Sequence, residues 1–157
     1  MDTLVPAAPA ARGFARTCAA LAATLDRLQA PVALLMRLYV AKVFFWSGLL
    51  KLMRWDGTLA LFENEFHVPL LAPHTAAVLG TATELVLPLF LALGFGTRAA
   101  ALALFAFNAV AVISYPDLSD AGLKDHVLWG VLLLLTAVYG PGKLALERLL
   151  GRRQRRG

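Results

Sequence analysis

The chain has 157 residues, 59% of them hydrophobic and only 16% charged, with a net charge of +5 and a mean hydropathy of +0.68. A soluble domain is roughly 45–50% apolar and about 25% charged, so this balance excludes an ordinary soluble fold. The single cysteine, Cys18, excludes an internal disulfide, a CxxC dithiol and a thiolate metal cluster.

The N-terminal segment, residues 1–31, carries Arg12, Arg16 and Arg27, and nothing in it resembles a removable signal ahead of the first long apolar run. Phe14, Cys18, Leu21, Leu25 and Leu28 recur at helical intervals. The segment reads either as a helix lying on the inner membrane surface or as a disordered, alanine-rich leader. An arginine-rich leader also raises an organelle transit peptide, which Asp2 and Asp26 argue against.

Four apolar blocks follow, Val32 to Met53, Thr75 to Phe95, Arg98 to Tyr115 and Leu123 to Tyr139. Each approaches the roughly 20 residues that cross a hydrocarbon core of about 30 Å. A soluble bundle needs polar helix faces, yet Ala99 to Ala111 offers only Asn108. The predicted fold is therefore all-α, an integral-membrane, up-down four-helix bundle over residues 32–142, followed by a basic tail over 143–157.

Within the first span, Arg37, Ala41, Phe44, Gly48 and Lys51 share one stripe, because steps of three or four residues return to the same side of a helix. That stripe should face the bundle, with Gly48 permitting close approach of a neighbour. Arg37, near the inner end, is expected to snorkel to headgroups. Between spans one and two, Thr58 to Phe66 places Leu59, Phe62 and Phe66 opposite Glu63, which predicts a short interfacial helix on the outer surface. His67 and His74 flank a proline-containing connector that fixes no metal geometry, and read as interfacial residues.

The second span holds Glu84 near its centre, roughly 14 Å from the nearer end at 1.5 Å per residue. A carboxylate at that depth must face protein, a cavity or a partner. Pro88, one turn later, shapes packing or widens the site. The partner of Glu84 is Lys51 by helix face and Lys42 by depth; a lysine stem reaches about 6 Å, which favours Lys51. Gly94 and Gly96 suit a left-handed cap in the short turn between spans two and three, which makes those helices antiparallel neighbours. Asn108 in the third span and His126 in the fourth complete a set of polar residues drawn from four helices. Ser119 and Asp120 cap the fourth span, and Gly140-Pro141-Gly142 ends it.

If the faces agree, Lys51, Glu84, Asn108 and His126 form a pocket opening outward, with Phe44, Trp46, Phe105 and Trp129 as candidate walls. A quinone suits such a pocket, since aromatic walls contact its ring while a lysine and a protonatable histidine donate to its oxygens. The competing assignments are a structural ion pair, belt tryptophans at the interface and a solvated histidine.

Lys and Arg collect in cytoplasmic loops. Here Arg98, Lys143, Arg148, Arg152, Arg153, Arg155 and Arg156 join the N-terminal arginines on one side, while the other carries Arg54, Asp56, Glu63 and Glu65, then Asp117, Asp120, Lys124 and Asp125. Both termini should be cytoplasmic, in a bacterial inner membrane. Anionic lipid, not nucleic acid, is the partner this basic charge implies.

Residues 32–150 resemble the DoxX family of small four-span bacterial membrane proteins. The resemblance rests on Arg37-Leu38, Phe45-Trp46-Ser47-Gly48-Leu49-Leu50-Lys51-Leu52, Thr83-Glu84-Leu85, Leu93-Gly94-Phe95-Gly96-Thr97-Arg98 and Gly140-Pro141-Gly142-Lys143-Leu144-Ala145-Leu146-Glu147. It adds weight to Lys51 over Lys42. The last run is similar to the family's Gly-x-Gly-x-x-Ser-Leu-Asp ending, with Ala145 for serine and Glu147 for aspartate. The resemblance implies association with thiosulfate:quinone oxidoreductases or with complexes answering sulfur or oxidative stress. No haem-ligating histidine pair, flavin fingerprint or metal set is present in the sequence, so a redox role needs a diffusible quinone and a partner subunit. Two readings from different classes stand: a quinone-interacting subunit in which Glu84, Lys51 and His126 carry the chemistry, and a non-catalytic anchor, assembly factor or chaperone. A small-solute carrier is a third, disfavoured because four short spans leave little room for alternating access. Ala-rich faces on the third span also permit a homo-oligomer.

Overall fold

A computed structural model describes residues 9–148 and 150, with side chains from Arg16 onward. The expectations for Phe14, Arg12 and Arg152 to Arg156 fall on side chains outside that set. Five helices follow in order: α1 Pro9–Met53, α2 Trp55–Asn64, α3 Pro73–Leu93, α4 Thr97–Ser114 and α5 Asp120–Tyr139. Among the described residues there is no strand. α1, α3, α4 and α5 are each long and apolar enough to cross a membrane. They alternate in direction, with α1 packed mainly on α3 and α4 on α5.

The packing is that of a bundle solvated by lipid. Small residues fill the interior, among them Ala41, Ala77, Ala100, Ala101 and Ala137, while Leu35, Val86, Leu102, Val131 and Leu134 point outward. Water penalises such an exterior, whereas acyl chains do not; small interior residues let helix backbones approach closely where no hydrophobic drive exists between helices. Phe44, Leu91, Leu104 and Leu133 complete the core.

α1 runs without interruption through Pro31, so the stretch before that proline is helical from Pro9 and continuous with the first span. α2 starts three residues before the predicted Thr58. Its Phe62 is buried, with Leu59 and Phe66 beside it against Ala76 and Ala77 of α3. Thr58 Oγ1 donates to the Lys51 carbonyl at 3.0 Å, supplying a donor to a helix end that has none of its own. The α3–α4 turn uses Gly94 at φ 72° and Gly96 at φ 57°, the left-handed region glycine enters without a Cβ clash. Ser119 Oγ accepts from Gly122 N at 3.1 Å to cap α5.

Arg37 departs from its expected role. It is 1% exposed, and Nη2 donates to the Leu144 carbonyl at 3.3 Å instead of reaching headgroups. The segment after α5 folds back under the α3–α4 turn, with Glu147 N donating to Gly94 O at 3.1 Å and Thr97 N donating to Glu147 Oε2 at 3.4 Å. A Cβ on Gly94 would meet Arg37 and lie 2.7 Å from Ala145 Cβ. Arg37 is roofed over, so it has no path outward.

Candidate functional site

The α1 stripe faces the bundle, as its spacing predicts, and meets α3 at Gly48. A Cβ on Gly48 would lie 2.8 Å from Glu84 Cβ, so glycine at this position lets the two helices touch at the depth of the carboxylate. Three residues on, Lys51 Nζ meets both Glu84 oxygens, Oε1 at 2.8 Å and Oε2 at 2.7 Å. Their side chains are 19% and 7% exposed, respectively. Lys42 lies on the exposed side of α1 and takes no part. Ser47, one turn before Lys51, accepts from Nζ at 2.8 Å and donates to Glu84 Oε1 at 3.1 Å. It was readable only as part of a motif, although a hydroxyl four residues before a lysine shares its face.

On the facing pair of helices, Asn108 Nδ2 donates to the His126 carbonyl at 2.9 Å. Its Oδ1 therefore turns to the ring, 2.7 Å from His126 Nδ1. Because Oδ1 only accepts, Nδ1 carries a proton, and Nε2 is an acceptor whenever the ring is neutral. The imidazole also packs edge-on against Trp129, with centroids 4.9 Å apart.

Between these two pairs lies a cavity of about 450 Å³, within the roughly 300–1,000 Å³ range of small-molecule sites. Lys51, Glu84, Ser47 and His126 line it together with Phe44, Phe62, Phe107 and Trp129. Asn108 holds His126 without lining the space. Trp46 is 58% exposed on the opposite face, and Phe105 packs against the core beside Gly130; neither reaches the cavity. Phe107 stands where Phe105 was expected, 6.3 Å centroid to centroid from Phe44.

Two polar atoms behind the wall escaped sequence reasoning. Ser114 Oγ and Trp129 Nε1 are buried and have no hydrogen-bond partner, and both residues line the cavity. A serine closing an apolar helix resembles a cap, so nothing in the sequence marks it.

α2 and the end of α4 close one side. Phe62, Phe66 and Tyr115 stack in series at 4.9 and 5.0 Å, and Tyr115 Oη donates to Glu65 Oε2 at 2.9 Å. That carboxylate holds the phenol's ionisation above its ordinary value, because the bond needs the proton. His67 and His74 are exposed; among the described residues no three metal-ligating side chains converge.

The DoxX family model matches residues 32–116, which include α3, α4 and the Lys51–Glu84 pair. The chain belongs to the DoxX family. It is also similar to an uncharacterized protein of Haemophilus influenzae, 32% identical over 126 residues that cover 74% of this chain and 82% of the relative. No solved structure matches. Family and spans together make this DoxX protein a multi-pass membrane protein.

Proposed function

We propose that this protein is a quinone-binding subunit of an oxidoreductase complex in a bacterial inner membrane, with cytoplasmic termini and the cavity near the outer face. One observation carries the reading: an aromatic-walled cavity that meets an ion pair and an oriented imidazole. A flat ring with carbonyl oxygens answers both the aromatic walls and the positive charge of Lys51.

When bound, a quinone accepts two electrons and two protons, the electrons coming from a partner subunit. Phe44, Phe107 and Trp129 hold the ring and exclude water. Lys51 keeps Glu84 in place and presents positive charge to an oxygen. His126, pinned at Nδ1 by Asn108, takes or gives a proton at Nε2. The basic residues Arg16, Arg27, Arg98, Lys143 and Arg148 belong to the end opposite Lys51, which supports the cytoplasmic assignment of the termini.

The test uses the full chain in nanodiscs with Trp46 and Trp55 changed to Phe, leaving Trp129 as the fluorophore. A short-chain quinone should quench it saturably, and Gly80→Leu, which fills the cavity beside Phe62 and Phe107, should abolish saturation while the bundle still folds. Unsaturable quenching identical in both proteins would refute the reading. Recovery of a partner polypeptide that depends on Glu84 without any quinone effect would instead support an anchoring role.

A further inference from the structure

A second cavity, about 490 Å³, opens at the other end of the bundle between α1 and α5. Val32, Met36 and Leu135 form an apolar part of its lining, and Tyr139, Lys143 and Arg148 form a polar part. Lys143 and Arg148 are exposed, and among the described residues neither has a carboxylate within salt-bridge distance. Glu147, adjacent to Arg148 in sequence, is directed instead to the backbone of Thr97. In a bilayer a groove of this size between two spans is filled by an acyl chain. Two exposed cations without counter-charge at its headgroup end attract an anion. Tyr139, with an apolar ring and a polar tip, suits the boundary between the two zones.

We propose that this groove binds an anionic phospholipid, its phosphate between Lys143 and Arg148 and one acyl chain along Val32, Met36 and Leu135. The site is independent of the quinone cavity, from which it differs in lining residues and in the end of the bundle it occupies.

Native mass spectrometry of the full chain in mild detergent, offered equal amounts of phosphatidylglycerol and phosphatidylcholine with identical chains, reads the outcome. Wild type should retain phosphatidylglycerol several-fold over phosphatidylcholine. Lys143→Gln with Arg148→Gln should lower that retention about tenfold or more, given the attraction of each basic side chain for an anionic surface. Val32→Trp, which obstructs the apolar wall without touching charge, should lower retention of both lipids. Arg16→Gln with Arg27→Gln removes the same charge from outside the groove and should leave retention unchanged. Equal retention of the two lipids by wild type overturns the proposal, as does an equal loss in the Arg16/Arg27 control, which would mean diffuse attraction. Displacement of the lipid by glycerol phosphate at matched concentration would also overturn it, by assigning the site to free phosphate.

Discussion

Two buried cations on one stripe of α1 are handled in opposite ways. Lys51 has a carboxylate at 2.7 Å and open space beside it. Arg37, fourteen residues earlier and so roughly 21 Å along the helix, has one backbone carbonyl at 3.3 Å. Its Nε and Nη1 lack partners, and neither cavity touches it. Glu147 acts on it electrostatically without forming a salt bridge. The charge at the α2 end is neutralised by pairing and stays next to a cavity, whereas the charge at the tail end is enclosed by packing. The first arrangement leaves polar atoms available for chemistry. The second spends a guanidinium on fastening the returning tail, and gives Ala145, fully buried against Gly94, a steric reason to be small.

Breaking the pair at the α2 end should have the largest effect. Lys51→Met strands a buried carboxylate and should destabilise by about 3–5 kcal/mol, with most of that recovered in Lys51→Met/Glu84→Gln. Unfolding in mixed micelles measures both, and absence of recovery would remove the pair from the account. Next comes Gly48→Ala, whose methyl would sit against Glu84 and should cost about 1–3 kcal/mol by overpacking, visible in the same assay. Arg37→Met should cost less, about 1 kcal/mol, since it forfeits a single hydrogen bond to Leu144 O; a larger loss than that of Lys51→Met would invert the comparison.

The smallest effect is pH-dependent. Tyr115 ionises above its ordinary range because its proton serves Glu65. A group raised in this way supports the fold fully below its unfolded value and loses that support as pH rises through the folded one. The link between α2 and α4 should therefore loosen only under alkaline conditions. Ultraviolet difference titration against Tyr115→Phe should show this phenol ionising late, and Glu65→Gln should move it back toward an ordinary tyrosine.

Much of this was legible in the chain, for one physical reason: periodicity fixes which side chains share a helix face. Arg37, Ala41, Phe44, Gly48 and Lys51 form a stripe by spacing alone, and Glu84 declared its own inward direction by depth. What spacing cannot supply is rotational phase between helices. Trp46 was grouped with Phe44 as an aromatic, yet two residues correspond to about 200° of rotation, which sends it to the lipid side. Phe105 and Phe107 face the same ambiguity in α4. Arg37 was expected to snorkel because the run after Gly142 gave no sign that it folds back as a roof. Ser114 Oγ and Trp129 Nε1 are buried without partners, which no sequence pattern encodes.

Pro31 gives α1 a mechanical character of its own. The helix of 45 residues extends roughly 68 Å, more than twice a hydrocarbon core of about 30 Å, and at Pro31 the Arg27 carbonyl loses its usual amide donor. The rod is therefore weakest about one turn before Leu35, far from Ser47 and Lys51. A bend at that joint can swing the leading arm through a wide arc while the carboxylate and ammonium groups twenty residues away keep their register.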